Sequence, residues 1–212
     1  MKIDLTCYLV TDTAQCGTRG LAKTVRAALP GGVTVVQLRE PDAPDDVVVA
    51  RGRELREELL GTGVPLLIDD RVHLVHEIGA DGAHIGQSDM DPEEARRLLG
   101  PGLLLGLSVG TVEQAEMARD VAHLIDYVGV GPVWLTSTKP SAKIALGLDG
   151  LARVVAAAPR PAVAIGGIDA ARTAGIPLTG AAGIAIVSAI CAADDPGAAA
   201  RELRTAWDSN TS

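Results

Sequence analysis

The chain has 212 residues, 47% of them hydrophobic but only 2% aromatic, with no Phe and a formal charge of −8. One domain is the natural size for this length, and its core must be built from Ala, Val, Leu and Ile. The acidic balance and the scarcity of aromatic faces argue against a nucleic-acid partner, and no apolar run of about 18 residues is present to span a membrane.

Met1, Lys2, Ile3 and Asp4 lead directly into a strand-like run, with no hydrophobic leader region. Cys7, Cys16 and Cys191 are an odd, widely spaced set. A disulfide framework or zinc site is not expected of them, and a cytoplasmic location fits. Short apolar runs bounded by Gly, Pro or Asp follow at 7–11, 33–38, 65–68, 82–85, 103–109, 127–133, 162–165 and 183–187. They are continuous rather than alternating, as strands buried on both faces should be. Helical spacing fills the intervals at 21–29, 45–60, 91–99, 112–121 and 148–158, and 194–212 reads as a last helix with a polar frayed end from about 208. Asp91, followed by Pro92, Glu93 and Glu94, is a helix start, and Thr111 and Asp149 are candidate caps for two more. Eight strand–helix alternations predict a single (β/α)8 TIM barrel over 1–212. No GxGxxG follows the first strand, which disfavours a doubly wound open sheet.

In such a barrel chemistry sits at the carboxyl ends of the strands. Strand two ends in Gln37-Leu38-Arg39-Glu40-Pro41, and alternation puts Gln37 and Arg39 on one side and Leu38 on the other. Gln37 offers an amide to a heterocycle edge; Arg39 offers a planar fork to phosphate oxygens. Asp69 and Asp70 close strand three, and Asp89 follows strand four. Asp70 and Asp89 can hold Mg²⁺ while leaving sites for water and phosphate oxygens. His84 reads as a core or supporting histidine. Ser108 gives a hydroxyl at the end of strand five. Thr136, Ser137, Thr138 and Lys139 form a hydroxyl-rich loop with one cation after strand six. Gly166-Gly167 and Val187-Ser188 close strands seven and eight, where many barrels bind phosphate on backbone N–H groups. Two anion sites then face each other across one mouth. That layout suits joining a phosphorylated molecule to a partner with a diphosphate leaving group.

Several segments in one order carry a family likeness. They are Tyr8-Leu9-Val10-Thr11-Asp12, Val36-Gln37-Leu38-Arg39-Glu40, Ile68-Asp69-Asp70-Arg71-Val72, 79–89 (Gly-Ala-Asp-Gly-Ala-His-Ile-Gly-Gln-Ser-Asp), 127–133 (Tyr-Val-Gly-Val-Gly-Pro-Val), Thr136-Ser137-Thr138-Lys139, Ile165-Gly166-Gly167-Ile168 and Ile186-Val187-Ser188-Ala189-Ile190. Along nearly its whole length the chain resembles the thiamine phosphate synthase family, within the thiamine phosphate synthase and thiazole tautomerase superfamily. The resemblance implies a transferase of thiamine biosynthesis. An aminopyrimidine methyl diphosphate loses diphosphate with Mg²⁺ assistance, and the thiazole nitrogen of hydroxyethylthiazole phosphate captures the cation. It implies Arg39, Ser108 and Lys139 as the catalytic set and Asp70 and Asp89 as metal ligands. Gln37 would meet the pyrimidine, and Thr136, Ser137 and Thr138 would border the thiazole phosphate. Gly167, Val187 and Ser188 would hold its phosphate, largely by backbone. Barrels of this kind often pair, so a homo-oligomer is a further expectation.

Two positions depart from the family pattern. Pro41 stands where Lys is usual, and Asp69, beside the diphosphate, where Asn is usual. With Asp69 ionised the pocket is more negative by two charges, and Arg71 and Lys143 are candidates to compensate. Gly110 stands where relatives often have His. That weakens the main rival, a thiazole phosphate tautomerase-like isomerase; a non-catalytic barrel that binds a phosphorylated metabolite is the other rival.

Overall fold

Eight parallel strands close on themselves in sequence order, β1 (Cys7–Val10), β2 (Val35–Leu38), β3 (Leu66–Asp69), β4 (Gly82–Ile85), β5 (Leu104–Val109), β6 (Tyr127–Val130), β7 (Ala162–Ile165) and β8 (Gly183–Ile186), with β8 pairing back onto β1. The computed structural model describes residues 3–136 and 144–211. Around the ring lie α1 (Thr13–Cys16), α2 (Leu21–Ala28), α3 (Asp45–Leu59), α4 (Val75–Ile78), α5 (Pro92–Leu99), α6 (Val112–Met117), α7 (Gly147–Ala157), α8 (Ala170–Thr173), α9 (Ser188–Cys191) and α10 (Pro196–Asp208). This is the (β/α)8 TIM barrel that the eight apolar runs predict.

Alternation along each strand sorts side chains into two cores. Leu9, Val36, Leu38, Ile68, Ile85, Leu105, Val128 and Ile184 point outward and pack beneath the helices. Tyr8, Val10, Val35, Leu67, Leu104, Tyr127, Val163 and Ala185 cluster inside the ring. All three cysteines are buried as free thiols. The chain's only two tyrosines therefore both fill the barrel interior. Glycines make the room: a Cβ at Gly106 would fall 2.2 Å from the Tyr127 ring and 2.5 Å from His84, and one at Gly129 would fall 3.0 Å from His84.

The ends of several elements differ from the sequence expectation. β6 stops at Val130, three residues early, because Gly131 lies against the Ile165 carbonyl and Pro132 has no N–H to offer a ladder. α6 ends at Met117 rather than near 121. Asp91 and Thr111 cap α5 and α6 as expected, each side chain accepting from backbone N–H groups of the first turn. Asp149 does not cap: α7 starts at Gly147, and Asp149 lies inside the first turn, where its charge still complements the helix dipole. Asp12, Asp169 and Asp195 cap α1, α8 and α10 instead. Among the described residues, no helix is long and apolar enough to cross a membrane.

The end of the barrel away from the mouth is tied by one arginine. Arg96 on α5 donates to the carbonyls of Leu124, Gly100 and Leu103 and pairs with Asp126 at 3.0 Å. The same Asp126 oxygen accepts from the Leu105 N–H at 2.8 Å, so one cation fixes where β5 and β6 begin. Arg96→Ala should lower unfolding free energy by about 3 kcal/mol, because it strands several acceptors that are shielded from water. Urea denaturation of wild type and variant measures this; a loss below about 1 kcal/mol would show that the clamp is dispensable.

Candidate active site

The strand carboxyl ends surround a cavity of about 570 Å³, a volume suited to small-molecule ligands. Every described residue that the sequence nominates for binding or catalysis lines it. Gln37 and Arg39 arrive from β2, Asp69 and Asp70 from the end of β3, and Asp89 from the loop after β4. Ser108 comes from β5 and Thr136 from the segment after β6. Gly167, Val187 and Ser188 complete the wall after β7 and β8. Ser137, Thr138, Lys139 and Lys143 lie outside the described residues.

On the first wall, Asp70 takes a left-handed backbone conformation with φ of 58°. Its N–H donates to the His84 carbonyl at 2.8 Å, which anchors the turn to the end of β4. The Asp89 carboxylate accepts from the Gly86 N–H at 2.8 Å through Oδ2. Asp69 faces Arg39, with Oδ2 3.3 Å from Nε. Both side chains are mostly shielded from solvent, at 14% and 23% exposed, so the pair interacts through a medium less polar than bulk water. Arg71, nominated to compensate for Pro41, instead donates to the Pro41 carbonyl at 3.2 Å and sits 3.6 Å from Asp45.

The opposite wall is backbone. Gly166 and Gly167 have φ of 106° and 63°, and a Cβ on either would fall within 3 Å of Pro132 or Trp134. Only glycine meets both demands at once. The segment after β6 is stitched to this turn by the Val133 N–H to the Ile165 carbonyl and the Trp134 N–H to the Gly166 carbonyl. Arg172 donates to the Gly167 carbonyl at 2.6 Å and stacks 5.3 Å over Trp134, fixing the turn from outside. Val187 precedes α9, whose first turn has no side-chain cap. Uncapped N–H groups at a helix start favour an anion.

Between the walls the floor is polar; sequence reasoning names Gln37, His84 and Ser108 but not the roles of Tyr8 and Tyr127 or the bonds that join the five. Gln37, 4% exposed, donates from Nε2 to the Tyr8 hydroxyl at 2.8 Å. Tyr8 and Tyr127 share a hydroxyl contact of 2.8 Å. Tyr127 lies 2.9 Å from His84 Nδ1, and His84 Nε2 lies 2.8 Å from Ser108 Oγ. His84 is thus the supporting histidine that the sequence suggests, bonded to Tyr127 and to Ser108. Burial holds the Tyr8 and Tyr127 phenols well above their ordinary pKa, so both keep their protons. Gln87 donates to the Ser108 carbonyl at 2.7 Å, and Gln114 accepts from the Gly110 N–H at 2.7 Å. Beyond its place in the family-like segment 8–12, the sequence signal for Tyr8 is its position two residues before Val10, on the inward register of β1.

The family model described as thiamine monophosphate synthase matches residues 7–190. A thiamine-phosphate synthase from a Psychrobacter species is 48% identical over 200 residues, covering 94% of this chain and 93% of that protein. One from Xanthobacter autotrophicus is 49% identical over 203 residues, covering 96% and 95%. The solved structure of thiamine phosphate pyrophosphorylase from Pyrococcus furiosus superposes with a TM-score of 0.88 at 33% identity, covering 100% of this chain and 99% of that one. Matched in sequence almost end to end and in the course of its backbone, the chain belongs to the thiamine monophosphate synthase family.

Proposed function

We propose that the cavity joins an aminopyrimidine methyl diphosphate to hydroxyethylthiazole phosphate, giving thiamine phosphate and diphosphate. One observation carries the reading: the acidic and cationic wall and the backbone wall line the same cavity. Gly167, Val187 and Ser188 hold the thiazole phosphate through N–H groups, and Thr136 borders it. Arg39 and Ser108 meet the diphosphate, with Lys139, and Gln37 orients the pyrimidine. The carbon–oxygen bond to diphosphate breaks first, and its electrons leave with diphosphate. The thiazole nitrogen lone pair then forms the new carbon–nitrogen bond. No protein nucleophile is needed, so catalysis is positioning plus stabilisation of the departing charge.

The acidic wall fits Mg²⁺. Asp70 and Asp89 offer hard oxygen ligands on one side of the cavity, and Asp89 forms no ion pair among the described residues. No group of three acid, His or Cys side chains forms a closed cage among the described residues. Mg²⁺ suits such a place, since it takes one or two carboxylates and completes its shell with water and phosphate oxygens. When bound it would neutralise charge on the leaving diphosphate. The rival to phosphate for Arg39 is internal: the Asp69 carboxylate already lies against that guanidinium.

Thiamine phosphate should form when the protein is incubated with both substrates and Mg²⁺. Asp89→Ala and Asp70→Ala should each slow it by about 100-fold or more, and a chelator should stop it. Product formation undiminished in both variants would overturn the ligand assignment. Asp69→Asn combined with Pro41→Lys should raise the rate, because a single charge at close range is worth about 4 kcal/mol at an effective dielectric of 20 before relaxation. An unchanged or lower kcat/KM for the diphosphate would refute the charge argument.

A further inference from the structure

The polar floor has a direction, and counting hydrogens reveals it. Gln37 Nε2 can only donate, so the Tyr8 oxygen accepts there and its own hydrogen must go elsewhere. The Tyr127 oxygen, 2.8 Å away, is the acceptor within reach. That leaves the Tyr127 hydrogen for His84 Nδ1 at 2.9 Å. A His84 ring that accepts at Nδ1 carries its hydrogen on Nε2, which lies 2.8 Å from Ser108 Oγ. Ser108 then accepts from His84, and its own hydrogen points out of the chain. Ser108 lines the cavity. A doubly protonated His84 would aim a hydrogen at a Tyr127 oxygen already accepting from Tyr8, and would orphan the Tyr127 hydrogen in a fully buried site.

We propose that Gln37, Tyr8, Tyr127, His84 and Ser108 form one directed chain of donors that fixes His84 as the Nε2–H tautomer and so presents the Ser108 hydroxyl to the cavity as a hydrogen-bond donor. Resting on the transferase reading above, this assigns the donor to the diphosphate, whose oxygens gain charge as the bond to carbon breaks. His84, Tyr8 and Tyr127 are positioning residues, since they act through Ser108. The same chain ties the pyrimidine-side amide to the diphosphate-side hydroxyl: turning the Gln37 amide over would put its carbonyl oxygen on Tyr8, reverse every bond and leave Ser108 donating to His84 instead. A substrate that fixes the Gln37 amide thereby sets the donor at the other end. A raised phenol pKa at both tyrosines supports the chain, because neither link is lost by ionisation near neutrality.

Nitrogen-15 NMR of the wild-type protein labelled at histidine reads the tautomer without any variant. The expected signal for His84 is a neutral ring with hydrogen on Nε2; a ring protonated at Nδ1, or at both nitrogens, overturns the proposal. Steady-state kinetics supply the second arm. Tyr127→Phe should lower kcat about 10-fold or more while changing KM for the pyrimidine diphosphate by less than about 3-fold, since Ser108 loses orientation and not contact. His84→Gln places an amide N–H near the Nε2 position and should keep at least about 10-fold more kcat than His84→Asn, which mimics Nδ1. Equal kcat in the two amides, or a Tyr127→Phe effect confined to KM, counts against the chain. If wild-type protein forms no thiamine phosphate, the transferase reading fails by itself, and the His84 tautomer still decides whether the chain exists.

Discussion

An eight-stranded parallel barrel encloses a fixed interior, and side chains must fill it. This chain has no Phe and only two Tyr to do so. Both tyrosines stand inside the ring, on β1 and β6, and meet at their hydroxyls with rings 5.9 Å apart. The bulk of Tyr127 is admitted by the missing side chain at Gly106, and Gly106 and Gly129 together leave room for His84. The filling stops short of the strand carboxyl ends, and what is left unfilled is the cavity. The position of the site is therefore a consequence of how the interior is packed.

A buried phenol needs a partner for its hydrogen, so the packing solution is also a chemical one. Two tyrosine hydroxyls deep in a barrel recruit Gln37 on one side and His84 on the other. His84 in turn recruits Ser108. Each of these bonds lies in the layer that floors the cavity. For the proposed reaction a rigid floor is an advantage, since it helps keep stray water from the cation. The walls above are held differently. Arg172, Trp134 and the Gly166-Gly167 turn brace one another from outside the cavity, whereas Arg39 and Asp69 brace one another from within.

The strands were legible because burial on both faces leaves an unbroken apolar run, and the site was legible because barrel chemistry falls where those runs end. Arg39 and Leu38 sorted to opposite sides by alternation alone. The failures are equally physical. Pro132 ended β6 early because a ladder needs an N–H, and a purely apolar reading of 127–133 is blind to that. Asp149 looked like a cap because cap residues and first-turn acids share a chemistry, and only the backbone turn at Gly147 tells them apart. The floor was invisible for a deeper reason: Tyr8 and Tyr127 stand 119 positions apart. Their meeting depends on ring closure and strand register, and neither leaves a mark on local sequence.

Asp70 is the one described residue other than glycine with a positive φ. A left-handed backbone at a side-chain-bearing residue costs on the order of 1 kcal/mol. Glycine would relax that corner, yet it would take from the cavity the carboxylate proposed to hold Mg²⁺. On that proposal backbone ease and turnover pull this corner in opposite directions, and laboratory evolution that screens only for survival at high temperature would put no value on the carboxylate.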